Sequence, residues 1–253
     1  MATLPFVIGH RGAAAWAPEN TLASIRAAAA LGARWVEFDV RLSRDGFPVL
    51  FHDDDLNRTT NGSGPVADQD LEDLLTLDAG GWFGPAFRGE PVPTLEAAMG
   101  TLGRLRLGAN IEIKPDVARV VETVVTTMEV INRDWPPELP PPLISSFQAD
   151  ALTAARTADP EAELALLVND VPEDWRQRLH DLGCGALHCG ARRLRRSQAA
   201  AVVAAGVPLR CYTVNRRGSA EKLAGWGVQS VFTDDPKELL PRATQAFGSS
   251  VSK

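Results

Sequence analysis

Short runs rich in apolar and β-branched residues alternate with Ala- and Leu-rich stretches of helical character along the whole 253-residue chain. That alternation predicts an α/β fold, specifically a (β/α)8 TIM barrel with a small inserted region after the second strand. Two further observations point the same way. The length suits one such barrel, which typically takes about 250 residues. Charged residues of the strand candidates recur at alternate positions, as they do when one face of a strand looks into a barrel and the other packs on helices.

Taken in order, the strand candidates are Phe6–His10, Trp35–Val40, Ala109–Lys114, Leu143–Phe147, Glu163–Val168, Ala186–Cys189, Leu209–Val214 and Ser230–Thr233. The helix after the first run has a readable start, because Asn20-Thr21 can cap it and Leu22, Ile25 and Ala29 then recur on one face; it is expected from Thr21 to about Leu31. Between Asp53 and Pro93 the rhythm breaks, with Gly, Pro, Asp and aromatic residues gathered around Gly80-Gly81-Trp82-Phe83-Gly84-Pro85. Residues 54–93 are therefore read as a small insertion over the barrel mouth. The proline-dense stretch Asp134–Pro142 reads as a rigid loop before the fourth strand. Residues 1–248 form one catalytic domain on this reading, and 249–253 a disordered tail.

Composition narrows the class of function. Hydrophobic residues make up 45% and charged residues 23%, with a formal net charge of −6 and Lys and Arg scattered rather than banked. Such a balance offers no electrostatic footprint for nucleic acid or for stable association with an anionic membrane. No run of about 18 apolar residues free of charge occurs, and no signal peptide is recognised at the N-terminus. Three cysteines, Cys184, Cys189 and Cys211, form no Cys-x-x-Cys pair, which fits reduced thiols in a cytoplasmic protein.

The chemistry lies at strand ends. Glu37 and Asp39 share one face of the second strand, opposite Val36, Phe38 and Val40, and Glu112 and Lys114 share a face of the third, flanked by Ile111 and Ile113. The outer face must meet helices, so the charged set looks inward, near the C-terminal end where barrel active sites sit. Three converging carboxylates repel one another. One divalent cation with all-oxygen ligands, Mg2+ or Ca2+ with Mn2+ also compatible, would neutralise them. The alternative is a metal-free salt-bridge network in which Glu37 or Glu112 pairs with Lys114 or Arg11.

Two of the four histidines stand beside this cluster: His10 in Gly9-His10-Arg11-Gly12 and His52 in Phe51-His52-Asp53-Asp54. Asp45-Gly46 is a two-residue hairpin signal. A turn centred there pairs residues whose numbers sum to 91, setting His52 opposite Asp39. Two imidazoles near neutral pKa can serve as base and acid. Arg11 and Lys114 complete an anion site suited to a phosphoryl group. His180 and His188 are read as ordinary residues with satisfied hydrogen bonds, although His188, near the end of the sixth strand, is close enough to line the mouth.

His10-Arg11-Gly12, Pro18-Glu19-Asn20-Thr21, Glu37-Phe38-Asp39-Val40, His52-Asp53, Arg58-Thr59-Thr60, Glu112-Ile113-Lys114 and Ser145-Ser146-Phe147 resemble, in order and spacing, the motifs of the glycerophosphodiester phosphodiesterase family. Pro93-Thr94-Leu95-Glu96, Tyr212-Thr213-Val214-Asn215 and Thr233-Asp234-Asp235-Pro236 extend the resemblance over nearly the whole chain. It implies a barrel enzyme of lipid and glycerol metabolism that hydrolyses deacylated phospholipids to sn-glycerol 3-phosphate and an alcohol. It carries the catalytic pair over to His10 and His52, the metal carboxylates to Glu37, Asp39 and Glu112, and substrate binding to Arg11, Lys114 and Glu19. Trp82 and Phe83 of the insertion either wall the glycerol pocket or pack beneath their own loop. One departure touches the pocket: Tyr212 stands where the family usually has Trp, which marks it as a substrate-side residue. Rival readings are an amidohydrolase, which lacks its His-x-His because Gly12 follows His10 by two, another barrel phosphodiesterase or phospholipase, and an inactive phosphate-binding module.

Overall fold

In a computed structural model that describes residues 4–240, eight parallel strands close into a barrel. The elements run β1 (Val7–Gly9), α1 (Leu22–Ala30), β2 (Trp35–Leu42), β3 (Pro48–Leu50), α2 (Leu71–Leu75), α3 (Leu95–Leu105), β4 (Gly108–Ile113), α4 (Val120–Asp134), β5 (Leu143–Ser146), α5 (Ala149–Ala158), β6 (Glu163–Val168), α6 (Trp175–Asp181), β7 (Ala186–Gly190), α7 (Arg196–Ala204), β8 (Leu209–Tyr212), α8 (Arg217–Ala224), β9 (Ser230–Thr233) and α9 (Pro236–Leu239). Closure comes from β1 pairing with both β2 and β9, while β3 hangs antiparallel on β2 outside the ring. All eight expected barrel strands are present, β6 and β9 with the expected ends and the others with an end shifted by at most two residues. The tail expected at 249–253 lies outside the described residues.

The alternation anticipated for β2 and β4 holds around the ring. Val36, Phe38, Val40, Ile111 and Ile113 join the continuous apolar layer between strands and helices. Inside the barrel a second, smaller group, Ile8, Trp35, Leu143, Ala165, Ala186 and Phe232, plugs the ring. Apolar burial of this kind is worth about 25 cal/mol per Å² removed from water, so the plug stabilises the ring as well as sealing it. Trp35 fills the floor at the expense of its neighbour: a Cβ on Gly108, its partner in the β2–β4 register, would stand 2.3 Å from Trp35 Cε2.

The helix α1 begins as expected. Thr21 Oγ1 accepts from Ser24 N at 3.2 Å, and the helix ends at Ala30 with Leu31 as its cap. Ser24 also closes the turn after β1, donating to Arg11 O at 2.7 Å and accepting from Ala13 N at 2.8 Å. Gly12 sits there at φ +86°, where a Cβ would meet Ser24 Oγ at 2.4 Å. Only glycine fits that approach.

The hairpin register differs from the expectation. Observed pairs are Val40 with Leu50, Arg41 with Val49 and Leu42 with Pro48, numbers that sum to 90 rather than 91. The loop is the three-residue Arg44-Asp45-Gly46, with Gly46 left-handed at φ +87° and Ser43 N donating to Phe47 O at 3.0 Å. Ser43 and Asp45 bond to each other at 2.6 Å and favour the longer loop. Asp39 therefore faces Phe51, whose N–H donates to Asp39 O at 3.1 Å, and His52 follows one residue later.

The insertion packs on itself. Leu56, Val66, Leu74, Ala79 and Val92 form a separate apolar cluster with Val49 and Phe51. Trp82 and Phe83 stack edge-on at 5.6 Å, and Phe83 on Phe87 at 5.4 Å, all within this segment.

Gly108→Ala should lower stability by about 2 kcal/mol, the cost of forcing a methyl into a packed core. Gly218→Ala, in α8 with open space around it, should leave stability level or raise it by up to about 1 kcal/mol. Thermal melts of both variants check this; equal melting temperatures would contradict the packing assigned to Trp35.

Candidate active site

Period-two alternation places Glu37, Asp39 and Glu112 on the inner face at the C-terminal ends of β2 and β4, and one oxygen from each lies within 4.8 Å of the others. Glu37 is 4% exposed and Asp39 1%. Taking such charges out of water opposes ionisation, and mutual repulsion adds to it. Burial, then Asp39 and Glu112, push Glu37 well above the ordinary carboxylate value. Burial, then Asp39, push Glu112 up to about 7. Asp39 goes the other way. Burial opposes its ionisation, but Arg11, His52 and Lys114 outweigh it, with the Asn20 amide helping.

Those partners have specific geometry. Asn20, left-handed at φ 56°, donates from Nδ2 to Asp39 Oδ2 at 2.8 Å and accepts Asp39 N–H at 3.1 Å. Arg11 lies 3.5 Å from Asp39 through Nε, and its backbone N–H donates to Glu37 Oε2 at 2.9 Å. Lys114 Nζ stands 3.3 Å from Glu112 and 3.8 Å from Asp39. The salt-bridge alternative is thus half realised, since both cations lean on the cluster. Two cations do not balance three carboxylates packed this closely, and two of the three are pushed toward the neutral acid. An all-oxygen set in that condition fits a hard divalent cation.

Both histidines line the same cavity, about 150 Å³ in volume, together with Arg11, Glu37, Glu112, Lys114, Asn110, Phe147 and Tyr212. His10 bonds through Nδ1 to Asp234 at 2.6 Å, and its Nε2 lies 3.9 Å from Glu37. Asn215 holds Asp234 in turn, donating from Nδ2 at 2.6 Å. His52 bonds through Nδ1 to Asp53 at 2.5 Å, and burial lowers its pKa against the pull of Asp39. Arg58 grips Asp53 at 2.6 Å and 2.9 Å and reaches Glu19 at 2.7 Å and 2.8 Å. Asp53 is held below the usual carboxylate range, first by that bond from Arg58. The buried Arg41, next on the inner face of β2 after Asp39, donates from Nε to His52 O at 3.1 Å. Each imidazole is thus tethered at Nδ1, leaving Nε2 free, an arrangement that fixes ring orientation and tautomer.

Glu19 does not line this cavity. Its oxygens are occupied by Arg11 at 2.6 Å and by Arg58, so it holds those cations in place. Trp82 and Phe83 do not line it either. Tyr212 does, donating from its hydroxyl to Val168 O at 2.7 Å and meeting Phe147 edge-on at 6.0 Å. His188, fully buried, lies at the base of the cavity with Nε2 3.2 Å from Arg210 Nη1; burial, then Arg210, hold it neutral. Asp53, Arg58, Asn215 and Asp234 occur in the quoted motifs without a role attached. Arg41 follows from extending the 37, 39 alternation by one step.

A TIM barrel whose C-terminal mouth gathers three inward carboxylates, two cations and two tethered imidazoles has the layout of a barrel enzyme whose acidic cluster could hold a metal ion. The chain belongs to the glycerophosphoryl diester phosphodiesterase family, whose model matches residues 10–238. It is similar to a glycerophosphodiester phosphodiesterase of Caldanaerobacter subterraneus subsp. tengcongensis, 34% identical over 92% of this chain and 96% of that protein. Among solved structures it is similar to a phosphodiesterase of Oleispira antarctica in complex with the product sn-glycerol-3-phosphate, at 41% identity and TM-score 0.91, covering 93% of this chain and 95% of that one. A glycerophosphodiester phosphodiesterase from Agrobacterium tumefaciens shares 28% identity at TM-score 0.75, over 92% and 98% of the two chains.

The raised Glu112 pKa makes cation-free stability pH-dependent. Its folded value of about 7 exceeds the ordinary 4.5, so the stabilisation is fully present below 4.5 and is lost as pH rises through about 7. In excess chelator, protein stability should fall between pH 5 and 8, and Glu112→Gln should remove on the order of 3 kcal/mol of that fall. Denaturant titrations at both pH values check this; identical pH profiles for wild type and variant would contradict it.

Proposed function

We propose that the chain hydrolyses glycerophosphodiesters to sn-glycerol 3-phosphate and an alcohol, using His10 and His52 as a complementary acid–base pair. The observation that carries this reading is the meeting of two carboxylate-tethered imidazoles with the acidic cluster in one small cavity. Family membership and the sn-glycerol-3-phosphate bound by the Oleispira relative support the substrate class.

Arg11 and Lys114 draw the phosphodiester into the cavity. Both line the cavity, and a guanidinium and an ammonium are suited to phosphoryl oxygens. Glu37, Asp39 and Glu112 would hold one divalent cation, Mg2+, Ca2+ or Mn2+. When bound it supplies polarisation of the phosphoryl oxygens and charge balance for developing negative charge. One histidine takes a proton at Nε2 from the nucleophile, either a water, which gives the monoester directly, or the glycerol 2-hydroxyl, which gives a cyclic phosphodiester that a water then opens to sn-glycerol 3-phosphate with the two histidines exchanging roles. The other gives a proton from Nε2 to the departing alkoxide. Asp234 and Asp53 steady whichever ring becomes positive, and Arg58 and Asn215 keep those carboxylates in place. Phe147 and Tyr212 form an aromatic wall of the cavity that meets the alcohol half.

His10→Ala and His52→Ala should each lower kcat by about 10²- to 10⁴-fold with the fold kept, because a positioned acid or base contributes that much. The double variant should be little worse than the poorer single one, since the pair acts as a unit. A p-nitrophenyl diester, whose leaving group needs no proton, should rescue one single variant and not the other. Near-full activity in either variant on a natural diester, or equal rescue of both, would contradict the assignment.

A further inference from the structure

The expectation that Lys and Arg are scattered fails on one flank of the mouth. Residues 192–196 read Arg-Arg-Leu-Arg-Arg, and Arg216 and Lys222 follow in the next βα unit, all in a chain of net charge −6. The loop after β7 and the start of α8 bring part of this charge together. A groove of about 410 Å³ is lined by Arg192, Arg216 and Lys222, with Thr213, Asn215 and Trp226 among its other walls, and no carboxylate lines it. Among the described residues Arg192 and Arg216 give their guanidinium groups to no hydrogen bond or ion pair within the protein. Lys222 Nζ lies 4.7 Å over the Trp226 ring and, among the described residues, pairs with no carboxylate.

This groove adjoins the catalytic cavity. Thr213 lines both, and a further hollow of about 470 Å³ lies between them, bounded by Tyr212, Thr213 and Arg192. In that hollow Arg193 is occupied by Asp170 at 3.0 Å, whereas Arg192 is not. Asn215, on the groove wall, is the residue that holds Asp234 and through it His10. Three cations without a counter-ion thus stand beside the aromatic wall of the cavity formed by Phe147 and Tyr212.

We propose that this groove binds a second anionic group carried by the alcohol half of the substrate, so that diesters whose leaving alcohol bears a phosphate are favoured over those with a neutral alcohol. The inference rests on the activity proposed above and adds the class of head group. Arg192 and Arg216 are the residues that read the extra phosphate, and Lys222 adds charge from the Trp226 platform.

The test compares glycerophosphoglycerol with bis(glycerophospho)glycerol, which has a second phosphodiester on its alcohol half, for wild type and for the Arg192→Gln/Arg216→Gln double variant. In wild type kcat/KM should favour the doubly charged diester by about tenfold, beyond the factor of about two from its two equivalent ends, and the preference should shrink as salt rises. The double variant should reduce the ratio to that statistical factor, through KM. Calorimetric Kd values for the same two diesters in chelator should show the same contrast. That arm separates the claims: no turnover of either diester overturns the activity, while equal Kd values for the two overturn the groove. Binding to phosphatidylglycerol vesicles that needs Arg192 and Arg216, without discrimination between the soluble diesters, would overturn it in favour of a membrane surface.

Discussion

Glu37, Asp39 and Glu112 are forced together, largely buried, at the mouth of a closed ring, and their mutual repulsion sets the terms for everything around them. Buried like charges a few ångströms apart interact far more strongly than exposed ones, so the ring tolerates them only with compensation. Asn20, Arg11 and Lys114 supply part of it; all three reach Asp39, while Arg11 N–H also serves Glu37 and Lys114 lies nearer Glu112. Asp39 stays ionised while its two neighbours are pushed toward the neutral acid. That asymmetry fits a cluster able to take one more positive charge.

From that centre the supporting contacts radiate outward as two carboxylate relays. One runs from His10 through Asp234 to Asn215 and β9; the other runs from His52 through Asp53 to Arg58, Glu19 and back to Arg11. The second ties the insertion to the first βα turn, so a segment with its own apolar cluster is coupled to the site by charge rather than by shared core. The apolar plug beneath, from Ile8 and Trp35 to Phe232, closes the barrel on the side away from the mouth. Together these features hold two imidazoles beside one cavity at the barrel mouth.

Much of this was legible in the sequence, because alternation on a strand is a local rule. Glu37 with Asp39 and Glu112 with Lys114 could be assigned to one face from spacing alone, and the Thr21 cap from residue type. The hairpin register was not, since Ser43 and Asp45 compete to lengthen the Asp45-Gly46 turn by one residue and the period-two consequence shifts every pair. His52 reaches the cavity by another route, with its carbonyl held by Arg41. Contacts between distant loops were beyond reach for a different reason: Asp234 lies 224 residues from His10, and no spacing rule joins them. The basic flank was overlooked because net charge averages over the surface, whereas the barrel gathers Arg192, Arg216 and Lys222 onto one groove.

Whether one divalent cation completes the carboxylate cluster is decided by calorimetric titration of chelator-stripped protein with Ca2+, Mg2+ or Mn2+. At pH 6, in two buffers of different ionisation enthalpy, the account predicts one cation per chain with release of protons from Glu37 and Glu112, and loss of that binding in Asp39→Asn. Absence of binding, or binding that neither releases protons nor depends on Asp39, would contradict it.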